Sequence, residues 1–127
     1  MNVPVHTFFP EYEALFDEEK RRITVEHLLT MTAGWAWNEN TEWGVSSNDM
    51  YGLNVASDPF AYLIGKEMAD DPGVKWVYNG GAVTLLGKLI EKASELDMVV
   101  VFTGGNYESW DPVDTIMEMH ILPAVGL

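Results

Sequence analysis

Trp35, Trp37, Trp43 and Tyr51 fall within one stretch, residues 34–57, that is rich in Asn, Ser and Gly and follows no clear helical or strand period. Rings at that density can line a binding surface, or they can fold back over a core; the second is the commoner use of aromatic residues. Acid–base or metal chemistry would draw on His6, His27 and His120, which lie far apart and have no partner at metal-ligand spacing. His27 sits inside a helical pattern, where a lone histidine is more often a packing residue than a ligand. Asp111, Asp114 and Glu118 lie along one side of a C-terminal helical pattern. Asp111 and Asp114 suit the start of a helix, so a solvated face is expected there rather than a cation site. Cysteine is absent, which excludes disulfides, thiolate catalysis and Cys-ligated zinc. No metal and no cofactor are expected.

The charge is one-sided. Twenty Asp and Glu stand against seven Lys and Arg, a formal net charge of -13 over 127 residues. Such a field repels phosphate backbones and anionic lipid surfaces, so neither nucleic acid nor membrane is an expected partner. The apolar fraction, 47%, is that of a folded globular protein, and the length suits one domain. Residues 1–10 contain no basic region and no long apolar run, and the longest purely apolar stretch, residues 98–102, is far too short to span a bilayer. The default expectation is a soluble, cytoplasmic protein.

These residues need elements to hold them. Pro10 suits a first helical turn, with Tyr12, Leu15 and Phe16 at helical spacing, and a short helix or irregular coil is expected up to Arg22. Thr24 reads as an N-cap, with Glu26 in the first turn and Val25, Leu28, Leu29 and Thr32 at helical spacing; Gly34 is the expected stop. A further helix is predicted from Ser57, with Phe60, Leu63, Ile64 and Met68 on one side, closed by the turn Asp70-Asp71-Pro72-Gly73. Residues 75–78 read as extended. Residues 81–93 give the clearest helix, with Val83, Leu86, Leu89, Ile90 and Ala93 on one side. Residues 97–103 carry the one strong strand signal, apolar at consecutive positions as a doubly covered strand requires. A last helix opens at Asp111-Pro112.

Three stretches resemble the serine β-lactamase-like hydrolases, the family that includes class C β-lactamases, penicillin-binding esterases and amide hydrolases. Phe8-Phe9-Pro10-Glu11-Tyr12, running on to Ile23-Thr24-Val25-Glu26-His27-Leu28-Leu29-Thr30-Met31-Thr32-Ala33-Gly34, is similar to the segment after that family's nucleophile helix. Pro72-Gly73-Val74-Lys75-Trp76-Val77-Tyr78-Asn79-Gly80-Gly81, with Leu85-Leu86-Gly87-Lys88-Leu89-Ile90-Glu91-Lys92, resembles its Tyr motif and the helix that follows. Residues 96–107 and Ile121-Leu122-Pro123-Ala124 are similar to its last strand and closing helix.

The resemblance implies a definite set of parts. A Ser in Ser-x-x-Lys attacks the carbonyl while the Lys takes up its proton, a Tyr in Tyr-x-Asn or Tyr-x-Ser assists, and a Lys-x-Gly or His-x-Gly strand orients substrate. Ser46, Ser47, Ser57, Ser94 and Ser109 are the only serines, and none has Lys three residues on. Tyr78 matches the motif Tyr, but Gly80 stands where its second polar group belongs. Thr103-Gly104 is not the wall motif, since Phe102 stands where its Lys would be needed, and by resemblance this segment is the strand after that wall. Lys92 and Leu96 are nearly adjacent, where the family has a long stretch carrying most of its sheet. The resemblance therefore implies a family member truncated at its start and deleted internally.

The expected fold is α+β and mainly helical, a partial β-lactamase-like fold with one strong strand and few others. It forms a single domain over residues 1–127, with 1–93 resembling part of the helical domain and 94–127 the last strand and C-terminal helix. The leading functional expectation is a non-catalytic small protein, self-associating through the strand around Val100 as a homodimer or other homo-oligomer. Two alternatives stand beside it. One is a small-ligand-binding module using Trp35, Trp37, Trp43, Tyr51 and Tyr78. The other is a serine hydrolase completed by a chain that supplies Ser-x-x-Lys. Tyr78 is the sole relic catalytic candidate, and packing is its expected role without a nucleophile.

Overall fold

The computed structural model describes residues 2–94. The strand expected over 97–103 and the helix expected from Asp111 lie outside the described residues. Three 3-10 segments, Val5–Phe8, Pro10–Leu15 and Lys20–Arg22, precede four α-helices: α1 (Val25–Leu29), α2 (Asp49–Val55), α3 (Pro59–Ile64) and α4 (Gly80–Ser94). The chain is thus mainly helical, and among the described residues β pairing is confined to two isolated bridges, Pro4 with Thr24 and Trp35 with Met68. Among the same residues no helix is long and apolar enough to cross a membrane.

The stretch before α1 forms 3-10 turns rather than an α-helix. Val5 and Phe9 are fully buried from it, and Val5 N–H donates to the Ile23 carbonyl at 2.9 Å. Thr24 caps α1 as its type predicts, accepting the His27 amide at 3.4 Å, while His27 Nδ1 accepts the Thr24 amide at 3.2 Å. Each side chain satisfies one of the amides that a helix start leaves without a partner. His27 is therefore committed to structure.

The end of α1 departs from expectation. The helix stops at Leu29, and Met31, at φ 57°, takes the left-handed position after it. The Thr32 amide bonds back to the His27 carbonyl at 2.8 Å and the Met31 amide to the Leu28 carbonyl at 3.3 Å, a Schellman closure with Met in the place usually held by glycine. Gly34, the expected stop, serves a different purpose. At φ 91° it turns the chain into an extended run in which Ala33, Trp35 and Trp37 are buried in alternation. That run lies along residues 67–77. Gly34 carbonyl accepts from the Ala69 and Asp70 amides at 2.8 and 3.2 Å, Ala36 N–H donates to Glu67 at 2.8 Å, and Val77 N–H donates to Met31 at 2.9 Å.

Residues 34–57 are not one long connection. They contain α2, whose Asn48 cap accepts the Tyr51 amide at 3.0 Å. Seven residues are too few for an isolated helix, and α2 persists because it packs against α3 and α4, with Leu53 buried and the buried Asp49 carboxylate bonded to Tyr62 of α3. α3 starts at Pro59, two residues later than the expected start at Ser57. Asp58 is its cap, with Oδ1 accepting the Phe60 and Ala61 amides, both at 3.0 Å, and the Tyr12 hydroxyl at 3.2 Å. It ends at Ile64, so Met68 belongs to the extended pairing with Trp35 rather than to the helical stripe. α4 matches its expected span closely. It lies against α1, α2 and α3, burying Ala82, Leu85 and Leu89. Ile90, placed on the apolar side by its spacing, is exposed.

Candidate functional site

The pairing of residues 31–36 with 67–77 delivers Tyr78 to the start of α4. Val77 is tied to Met31, and Asn79 is buried with its Oδ1 accepting the Ala82 amide at 2.8 Å. Tyr78, held between these anchors, is 54% exposed. Two cavities open beside it. The larger, about 640 Å3, runs along one face of α4 past Val83, Thr84, Gly87, Lys88 and Glu91, with Met50 and Phe60 opposite. The smaller, about 420 Å3, is lined by Trp37, Glu39, Asn40, Trp76, Val77 and Tyr78. Glu39, Tyr78 and no other residue line both.

Glu39 is held from two sides. Its Oε2 accepts from the Trp37 indole at 3.0 Å and from the Gly80 amide, the first of α4, at 3.2 Å. A carboxylate at a helix start is favoured by the unpaired amides there. Gly80 eases the approach, since a Cβ at that position would stand 2.9 Å from both Glu39 Oε2 and Met50 Sδ and require these side-chain ends to shift.

The hydroxyls and cations of the larger cavity are mostly committed. Thr84 Oγ1 donates to the Gly80 carbonyl at 3.0 Å, and Lys88 Nζ is 2.7 Å from Glu91 Oε1. Ser46, Ser47 and Ser57 line neither cavity. Among the described residues no three His, Asp or Glu side chains gather where they could hold a metal ion.

A family model described as Beta-lactamase matches residues 1–103. The chain belongs to the β-lactamase family. The match covers the resemblance read from the segment around Thr24 and from the Tyr78 motif, and it extends through the segment around Val100. Searches of curated proteins and of solved structures return no match.

The aromatic residues singled out by type separate in space. Trp35 is buried in the core, and its Nε1 has no hydrogen-bond partner among the described residues. Trp43 and Tyr51 pack edge to face, ring centres 5.5 Å apart, and line neither cavity. Trp37 and Tyr78 do meet at the smaller one. Glu39, Asn40 and Trp76 join them there without having been anticipated. Trp76 stands two residues before Tyr78 in an extended run, so period-two spacing carried that signal. Glu39 reaches Gly80 across 41 residues, and no local pattern announces it.

Proposed function

We propose that this β-lactamase-family chain is non-catalytic and retains the Tyr78 site for binding. The supporting observation is the cavity beside Tyr78, which holds the motif Tyr but no serine, with its lysine paired to Glu91 and its threonine bonded to the Gly80 carbonyl. A hydrolase of this kind needs an activated nucleophile next to its base, and the 127 residues contain no Ser-x-x-Lys. The purified chain is expected to leave a chromogenic cephalosporin and a nitrophenyl ester unchanged and to take no label from a fluorescent penicillin. Stoichiometric labelling of any serine would overturn the proposal.

Ligand binding at Tyr78 is favoured by the two cavities, since concave sites with apolar walls and a few fixed polar groups are the usual seats of small molecules. Self-association through the segment around Val100 is a further part of the proposal and rests on sequence: five consecutive apolar residues, 98–102, need cover. Light scattering after size exclusion is expected to give a dimer or larger species, and a monomer at high concentration would refute it.

A further inference from the structure

We propose that the smaller cavity binds a small organic cation, a quaternary or tertiary ammonium group on a compact apolar body. The inference rests on the ligand-binding reading and specifies its chemistry. Three aromatic side chains, Trp37, Trp76 and Tyr78, line this cavity together with the carboxylate of Glu39. Aromatic faces carry negative potential and attract alkylated ammonium groups, Trp most strongly. The carboxylate then supplies the compensating charge.

Several observations make the arrangement more than a chance grouping. Glu39 is fixed before any ligand arrives, because its Oε2 already accepts from Trp37 and Gly80, while Oε1 takes part in neither bond. A preorganised charge loses little freedom on binding. Glycine at residue 80 leaves that place unobstructed. A Cβ there would meet Oε2 and the Met50 sulfur at 2.9 Å, so the Asn or Ser of the family's Tyr motif, placed at this position, would require these flexible side-chain ends to shift. The departure that removes the motif's second polar group thus leaves room for an anion beside Tyr78 without such a shift. Trp76 is 65% exposed and Tyr78 54% exposed, so two of the rings remain open to an incoming group.

Charge selects among ligand classes. Glu39 repels a carboxylate-bearing ligand at short range, and the net charge of -13 repels it at long range while drawing cations in. A hard metal ion needs several oxygen ligands rather than one carboxylate among rings. An alkylated ammonium satisfies both the rings and the charge.

Choline and its neutral isostere 3,3-dimethylbutan-1-ol, titrated into the full chain by calorimetry and followed by tryptophan fluorescence, test the assignment. Choline is expected to bind at least about tenfold more tightly than the alcohol. Trp76→Ala and Glu39→Gln are each expected to weaken choline about tenfold. Trp76 is exposed, and Gln keeps an oxygen to accept from Trp37 and Gly80, so both variants should keep the fold. Trp43→Ala, outside the cavity, should leave binding unchanged. Equal binding of the alcohol overturns the cation assignment while upholding a ligand site. Silence of both probes, or choline binding indifferent to Trp76→Ala, also overturns it. The ligand-binding reading itself fails only if a neutral and charged fragment set produces no shift in Tyr78 or Trp37 resonances.

Discussion

Gly34→Ala is expected to destabilise the protein by about 3 kcal/mol or more, a large share of a typical domain's stability. Two effects add at this position. The backbone sits at φ 91°, where an L side chain is strained, at about 1–2 kcal/mol. The new methyl would also fall well inside contact distance of the Asp70 carbonyl oxygen, and 2.9 Å from Met68 Cε. The carbonyl is backbone and cannot rotate aside. It belongs to the run that zips residues 34–36 to 67–70, where the Gly34 carbonyl holds the Ala69 and Asp70 amides. Relief of the clash would therefore break the pairing that delivers Tyr78 to α4. Gly44 separates the two effects, because it has φ 96° but no atom within 4 Å of the place a Cβ would take. Gly44→Ala should cost only the strain, about 1–2 kcal/mol. Urea denaturation of both variants, compared at unchanged slope, reads the difference. Equal losses at the two positions would show that the Asp70 contact contributes nothing.

What the sequence made legible follows the range of the interactions. Thr24 announces a helix start because its cap bond reaches only to His27. The span of α4 is legible for a similar reason, since its apolar spacing repeats over four turns. The end of α1 is not, because it depends on Met31 adopting a left-handed conformation that its residue type disfavours. α2 was hidden for a different cause. Its intrinsic preference is weakened by Gly52, and its stability comes from burial against helices distant in sequence. Asn48 and Asp49 were the available signal, an N-cap followed by a first-turn acid. Buried Ala33, Trp35 and Trp37 alternate, which was a period-two pattern within a stretch whose overall composition suggested a loop. Tyr78 was legible through a family motif. Its neighbour Glu39 was not, because a contact across 41 residues exists only after folding.

Asp49→Ala is expected to cost about 3 kcal/mol, the value typical of breaking a buried pair. Asp is rarely buried without partners, and Asp49 has three kinds. Its Oδ2 accepts the Asn38 amide at 2.7 Å, and its Oδ1 accepts the Tyr62 hydroxyl at 3.1 Å and Lys66 Nζ at 2.6 Å. One carboxylate therefore ties the start of α2 to the Trp37 segment, to α3 and to the residues just after it. Alanine would leave a half-buried ammonium, a phenol and an amide without their acceptor. Asp49→Asn keeps an acceptor oxygen and loses the charge, so a smaller loss of about 1–2 kcal/mol is expected. Alkaline pH probes the same cluster. Burial, and then the bond to Asp49, raise the Tyr62 pKa above its ordinary 10.0. A folded pKa above the unfolded one means that the native state holds the proton more tightly. The stabilisation is complete below the unfolded value and is lost as pH rises through the raised folded one, where a phenolate would face the Asp49 carboxylate. Tyr12, raised by burial and its bond to Asp58, contributes in the same direction. Tyr62→Phe should therefore reduce, without abolishing, the fall in stability above pH 10. Chemical denaturation at neutral and alkaline pH measures both effects. An Asp49→Ala loss below about 1 kcal/mol would place the cluster among exposed ion pairs of little consequence, and an alkaline slope unchanged by Tyr62→Phe would remove Tyr62 from it.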